Sequence, residues 1–497
     1  MKSKRLWLRD ILPFALVVVI LSILIIKAIR MQVTCDEAYT VQTLAPQPVW
    51  DLISYKDSYT NNHILNTLLV KGLFSIFGMN HSLARVPNIA AFILYFFFIY
   101  RFSKRYISED WVSLMFIVVM ICNPYLLDFF ALARGYGLAI GLMMGSIYFA
   151  ARYLLDGNSK SLPLSILMAI LSVYAQFAML HFYLGLNLLF VLFQLIHYPP
   201  NKNIKSLLYG LGIQAAGLAV LVSLIYLPIT AILRDNQIAY YGTRGFWQDT
   251  LSSLIFHSVY AQGYFSDKTL DIFKTLTLAL FVFIVLYFLW KLIEKQIIQS
   301  EKTYPSVFVA SMFICTALSV ILQFHLLGNQ YVTDRTALFF YPLLAMLMPI
   351  VAVWSFQFKR KLGVAISIIF IVFSLNHVKR SYSFTMYREW WYDAHTYEVL
   401  DFLKTEYDKS DKKQPIRFNM TWMFNPSFTY HREKGQMTFI APLRYDKQPD
   451  TTNVYDFYYC TRDELPALEK QYEKIKEWDS GQWILMKRRE DNSSFLK

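Results

Sequence analysis

Two groups of side chains in this sequence have the types and spacing to work together chemically. One is acidic: Thr34-Cys35-Asp36-Glu37-Ala38-Tyr39 follows directly on a long apolar run, which sets two adjacent carboxylates at its mouth. A carboxylate there can take the proton of an attacking hydroxyl within hydrogen-bond reach, so Asp36 and Glu37 are catalytic candidates. The same residues would also suit an ordinary helix start, with Thr34 or Asp36 as cap. The other group is cationic: Arg85, Arg134, Arg244 and Arg335 each fall in a connecting segment or at the end of an apolar run. A guanidinium fork matches phosphate and can stabilise it as a leaving group, although any single Arg at a span end can also snorkel. Tyr39, Asn61, His63, Tyr136 and Tyr331 flank these groups and are candidates for positioning a substrate. His181 lies at a span end nearby.

No metal ligands are assigned. The sequence has neither H-E-x-x-H nor Asp-x-Asp, so a divalent metal beside the acidic pair is only weakly signalled and no cofactor is required. Gly135, Gly137 and Gly141 form G-x-G-x-x-x-G inside an apolar run with no strand before it, which reads as close helix packing rather than a dinucleotide site. Cys35, Cys122, Cys315 and Cys460 share no metal-binding spacing and are read as structural.

These groups must be positioned by membrane helices. Only 17% of the 497 residues are charged, against about a quarter in soluble domains, and 56% are apolar. The apolar residues gather into about eleven runs of spanning length: 11 to 30, 86 to 101, 111 to 127, 134 to 154, 162 to 180, 182 to 197, 207 to 232, 270 to 293, 305 to 327, 336 to 354 and 362 to 377. The first is too long for a cleaved signal core and is expected to stay as an anchor.

The net charge of +13 sits mainly in short loops, without a basic helix interleaved with aromatics, so nucleic acid is excluded as a partner and membrane lipids are expected instead. An N-terminus inside the cell makes every inner loop basic: Lys2, Lys4, Arg5 and Arg9; Arg101, Lys104 and Arg105; Arg152 and Lys160; Lys202 and Lys205; Lys291, Lys295 and Lys302; Lys359, Arg360 and Lys361. The C-terminus is then outside.

Two outer segments are long, 31 to 85 and 233 to 269. Long loops of this kind tend to carry function. Within the first, 63 to 77 reads as an interfacial helix ended by Gly78. The expected domains are a transmembrane part, 1 to 380, and a small α/β domain, 381 to 497. The latter reads as helix 396 to 408, strands 416 to 420, 437 to 443 and 454 to 460, helix 463 to 478 and strand 482 to 487.

The order of several short motifs is specific: an Asp-Glu pair after the first span, a His-containing segment ending in Phe77-Gly78, Ala84-Arg85-Val86-Pro87, then Asn123-Pro124 and Ala133-Arg134-Gly135-Tyr136. This pattern resembles the GT-C membrane glycosyltransferases, in particular the family of the protein O-mannosyltransferases and lipid A aminoarabinose transferases. The resemblance covers 10 to 155 by motif and the remaining spans by architecture. It implies an α-helical polytopic fold with a variable C-terminal domain, a polyprenyl-phosphate sugar donor and an extracytoplasmic active site. It casts Asp36 as the catalytic acidic residue with Glu37 beside it, and Arg134 and Arg335 as phosphate ligands. Asn61-Asn62-His63-Ile64 stands where better-known relatives have Lys-Pro-Pro or His-Pro-Pro. The expected reaction is inverting transfer to a lipid, protein or glycan acceptor, with Asp36 as base. A transporter or flippase for an anionic lipid-linked substrate is the alternative, and polar residues at the middle of the spans, of which Gln176, Gln214 and Gln323 are the few strong ones, would favour it.

Overall fold

Inside a bilayer every backbone N–H and C=O needs an internal partner, so apolar runs of this length fold as helices. The computed structural model describes residues 6–201, 204–235, 237, 242–259, 267–293, 304–411 and 414–489. Lys2, Lys4, Arg5, Lys202, Lys295, Lys302 and parts of the 233 to 269 segment lie outside the described residues. The chain divides into two compact units: Met1–Ile29 with Gln47–Tyr382, and Arg30–Pro46 with Ser383–Lys497.

Among the described residues nine helices are long and apolar enough to cross a membrane, or ten if one bent pair counts as a crossing. The protein is a multi-pass membrane protein. The expected count of about eleven is corrected at two places. The run 111 to 127 folds as Asp110–Ile121 and Pro124–Phe130, bent by 62°. Pro124 has no N–H and disfavours helix at Asn123, which turns extended and caps the second piece by accepting the Leu126 N–H at 3.0 Å. The run 162 to 180 yields only the 15-residue helix Ser161–Ala175, because Gln176 adopts extended backbone and ends it.

The glycines of the helix Gly135–Leu154 lie where other segments come closest. A Cβ on Gly137 would stand 2.6 Å from the Phe129 carbonyl, and one on Gly141 2.8 Å from that of Ala91. Several loop charges meet at one end of this unit. Arg9 donates to Asp110 at 2.6 Å, Lys104 to Asp10 at 2.7 Å, and Arg105 and Arg152 lie 2.7 and 2.9 Å from Asp156.

The second unit carries a four-stranded sheet in the order β1-β2-β4-β3, from Phe418–Met420 (β1), Phe457–Thr461 (β2), Tyr472–Trp478 (β3) and Trp483–Arg488 (β4). β1 and β2 run parallel and the other pairs antiparallel. Alternate side chains fill two cores: Phe457, Tyr459 and Leu485 face Val399, Leu400 and Leu403 of the helix Thr396–Lys409, while Tyr458, Cys460 and Ile484 face Leu468 and Tyr472.

Two expectations fail in this unit. Residues 463 to 478 do not form one helix: a short turn of helix, Leu465–Leu468, is followed by edge strand β3. Glu473, Lys474, Lys476 and Glu477 favour helix locally, but pairing with β4 and the burial of Tyr472 outweigh that preference, and charges on an edge strand are well tolerated. The expected strand 437 to 443 keeps only a single bridge, Ile416 to Ile440, and the helix Asn425–Lys434 precedes it. That helix supplies the crossover that a parallel β1–β2 pair demands.

Candidate functional site

The acidic turn belongs to the second unit. The helix Cys35–Tyr39 starts from Thr34, whose hydroxyl accepts the Glu37 N–H at 3.3 Å while Glu37 Oε2 accepts the Thr34 N–H at 3.1 Å. This reciprocal cap buries Glu37 and defines its place as a fixture of the turn. Asp36 and Tyr39 remain half-buried. Residues remote in sequence grip the segment leading into the turn. Gln32 Nε2 donates to the Asp393 carbonyl at 2.7 Å, Ser427 Oγ to the Val33 carbonyl at 2.6 Å, and the Val33 N–H to His431 Nε2 at 3.4 Å. The Cys35 N–H donates to Asp393 Oδ2 at 2.8 Å.

The cationic candidates lie in the first unit and fall into three places. Arg134 is the residue before the helix Gly135–Leu154, in extended backbone, and is fully buried. Its Nη1 donates to the Asn61 carbonyl at 3.1 Å, and two residues beyond Asn61 the buried His63 ring packs edge-on to Tyr136 at 5.0 Å. Arg335 sits on the 3-10 turn Asp334–Ala337 and lies within electrostatic reach of His63. Burial, then the charges of Arg134 and Arg335, hold the His63 imidazole well below its ordinary value, so it is neutral. The ring bonds the Ala175 backbone carbonyl, and its Nε2 is buried with no hydrogen-bond partner among the described residues. With Nδ1 as the donor, Nε2 presents a lone pair.

Arg85 is elsewhere. Its side chain is sealed, and Nη1 donates to the Ala28 carbonyl at 2.8 Å, near the end of the helix Leu12–Arg30. It lies within electrostatic reach of Lys27, which pairs with Asp128. Arg244 has an exposed side chain and serves its own loop, donating Nε to Asp249 at 3.1 Å. Tyr331 is buried against Phe324, ring centroids 4.4 Å apart, and exchanges backbone hydrogen bonds with Gly242, so it ties down the second long segment. His181 is buried beside Phe339.

Several supporting residues escape a reading of motifs. Asn66 donates to the Ala133 carbonyl at 3.3 Å, Asn88 donates to Asn66 at 2.8 Å and accepts the Leu138 N–H at 2.9 Å, so a buried amide pair brackets the Arg134 corner. An Asn in an apolar helix is itself a signal of helix-to-helix bonding. His257 meets Asp334 at 3.1 Å beside Arg335. Among the described residues no group of three or more His, Cys, Asp or Glu side chains is placed to hold a metal ion.

The chain is similar to the crystal structure of ArnT from Cupriavidus metallidurans bound to undecaprenyl phosphate, with 11% identity over 97% of this chain and 98% of that one and a TM-score of 0.47. It is also similar to ArnT from the same organism in the apo state, with 11% identity over 95% and 97% of the two chains and a TM-score of 0.44. No protein-family model matches the sequence, and no curated protein matches it.

Proposed function

We propose that this protein is an integral-membrane glycosyltransferase that moves a sugar from a polyprenyl-phosphate donor to an extracytoplasmic lipid, protein or glycan. The observation that carries the reading is the gathering of Arg134 and Arg335, far apart in sequence, around the buried neutral His63. Two guanidinium groups bearing on one uncharged imidazole offer the forked donors and positive charge that suit a phosphate. The motif order of the first third of the chain supports the same class.

In this reading the donor phosphate rests on Arg134 and Arg335. An acceptor oxygen attacks the anomeric carbon, the bond from that carbon to the phosphate oxygen breaks, and configuration inverts. The acceptor's proton passes to Asp36, and the polyprenyl phosphate leaves with the bonding pair, its added charge met by the guanidinium groups. No metal is needed for these steps. The membrane is a bacterial inner membrane, with the N-terminus cytoplasmic and the C-terminal domain outside.

The test is transfer of labelled sugar from a panel of synthetic polyprenyl-phosphate sugars into a membrane extract, with wild type beside Asp36→Asn. Transfer by wild type and a loss of about 100-fold or more in the variant is expected. Near-normal transfer by correctly inserted Asp36→Asn removes the base assignment. Donor binding without transfer from any donor turns the reading to a flippase of the same lipid.

A further inference from the structure

Asp393 is almost fully buried in the second unit, and its carboxyl reaches the acidic turn directly: Oδ2 accepts the Cys35 N–H at 2.8 Å. Oδ1 is buried with no hydrogen-bond partner among the described residues. Its backbone carbonyl is held as well, by Gln32 Nε2 at 2.7 Å and Thr396 Oγ1 at 2.9 Å, so the residue is fixed at both ends. Asp36 and Glu37 are its charged neighbours.

An ionised carboxylate in this place would be the third negative charge in one small buried region, with one hydrogen bond to stabilise it. Burying an uncompensated charge costs far more than burying the neutral acid. A protonated Asp393 still accepts the Cys35 N–H through one oxygen, and leaves Asp36 with one ionised neighbour rather than two.

Taking Asp36 as the base of the proposed transfer, we propose that Asp393 is its positioning residue: a neutral carboxylic acid, supplied by the C-terminal part of the chain, that anchors the Asp36 turn through Cys35 and keeps a third charge out of it. This gives the second unit a task, since the turn at 30–46 folds with that unit. Burial raises the Asp393 carboxyl well above the ordinary range; the Cys35 N–H opposes this, and the charges of Asp36 and Glu37 add to it. A raised value means that stability from the neutral acid is complete below the unfolded value of about 3.9 and is lost as pH rises through the folded one.

The titratable groups nearby are Asp36 and Glu37 on the turn, Tyr459 on β2, which would feel an ionised Asp393, and His431, which takes the Val33 N–H. Along the chain, His395 pairs with Glu398 and Asp479 at 3.0 and 3.3 Å. The histidines impose their own pH slope on every variant, so the difference between wild type and Asp393→Asn isolates Asp393.

The experiment measures thermal unfolding of the full chain in detergent, and sugar transfer, from pH 5 to 9 (about two units either side of neutrality). An amide is the uncharged counterpart of the protonated acid. Asp393→Asn should therefore fold and gain on wild type in stability as pH rises, the gain having begun above the unfolded value of about 3.9. Its transfer activity should persist to higher pH, where that of wild type falls. Glu37→Gln, which keeps the cap, removes a like charge and so lowers the folded value of Asp393; the stability loss should then level off at lower pH, and an unmoved loss overturns the reading of Glu37 as a charged neighbour. An Asp393→Asn variant that is less stable than wild type by a constant amount across the range, or that fails to fold, overturns the neutral-acid assignment. A stability difference as expected with an unchanged alkaline limb of transfer overturns the positioning role. Loss of the Asp36 assignment would show in Asp36→Asn transfer and leaves the stability comparison intact, so the two failures are distinguishable.

Discussion

Lys27 Nζ donates to Asp128 Oδ1 at 2.6 Å, with both side chains sealed from solvent and the ammonium 4.3 Å from the centre of the Tyr382 ring. The pair joins the last turn of the first crossing to the short helix Pro124–Phe130 behind the bend. Lys27 is near the end of its helix, so the pair is a clamp between segments at that depth, and Arg85 bonds the adjacent Ala28 carbonyl. Removing one partner of a buried pair strands the other charge, at a cost of about 3–5 kcal/mol, whereas replacing both with apolar residues of similar volume can be neutral. Asp128→Leu alone should therefore lower yield and thermal stability sharply, and Lys27→Met with Asp128→Leu should recover most of the loss. A double variant as unstable as the single one would mean that the pair is not the unit that matters.

Gly135 is the glycine on which the Arg134 corner depends. A Cβ there would lie 2.0 Å from the Ala175 carbonyl and 2.8 Å from His63 Cβ, and the first of these is backbone that cannot swing aside. Gly135→Ala should push His63 and the Ala175 carbonyl apart, costing about 1–3 kcal/mol as overpacking and weakening donor binding. Gly72, in the helix Ile64–Phe77, has nothing within 4 Å of its Cβ position. Gly72→Ala is the control and should stabilise by about 0.5–1 kcal/mol. Equal stability and donor affinity in Gly135→Ala and wild type would contradict this packing.

Much of this corner is legible in the sequence, because Ala133-Arg134-Gly135-Tyr136 and Asn61-Asn62-His63 are local motifs, although their meeting through Arg134 and Asn61, 73 residues apart, is not. The spans are legible because apolar length is a local property. What is not legible depends on pairing at a distance. Lys27 and Asp128 stand 101 residues apart, and nothing local to either joins them. Asp393 follows directly on Trp390, Trp391 and Tyr392, and nothing in its spacing indicates that it bonds Cys35. β3 is hidden because its Glu and Lys residues obey helix propensity while the choice is made by β4. Arg85 and Arg244 share a residue type with Arg134 but serve a helix end and a loop.

The loop role of Arg244 rests on Asp249, which accepts the backbone N–H groups of Arg244 and Gly245 at 2.6 and 3.0 Å besides the guanidinium. Burial pushes the Asp249 carboxyl up, but these three donors outweigh it and hold it below the usual value. A depressed value contributes stability that is present above about 3.9 and is lost as pH falls through the folded value. Hydrogen exchange at the Arg244 and Gly245 amides should therefore be slow at neutral pH and faster, relative to intrinsic rates, in Asp249→Ala. Protection unchanged in the variant would show that the turn does not need the carboxylate.

Arg134 can be tested without any assumption about the sugar, through its effect on His63. The His63 ring is neutral because of burial first and the charges of Arg134 and Arg335 second. Arg134→Ala deletes one charge and leaves the burial largely in place, so the His63 value should rise towards, without reaching, the ordinary one of about 6.5. Arg134→Lys should leave it nearly where it is, since the charge remains, yet lose the fork that bonds Asn61. In wild type a lowered imidazole value means that stability is complete above about 6.5 and declines as pH falls through the folded value; in Arg134→Ala that acid loss should be smaller. Titration of ring-labelled histidine by NMR, assigned with His63→Gln, reads these shifts directly. Donor affinity measured on the same samples should fall in both Arg134 variants. An unmoved His63 titration in Arg134→Ala would separate the two residues, and unchanged donor affinity in both variants would take Arg134 out of the phosphate site.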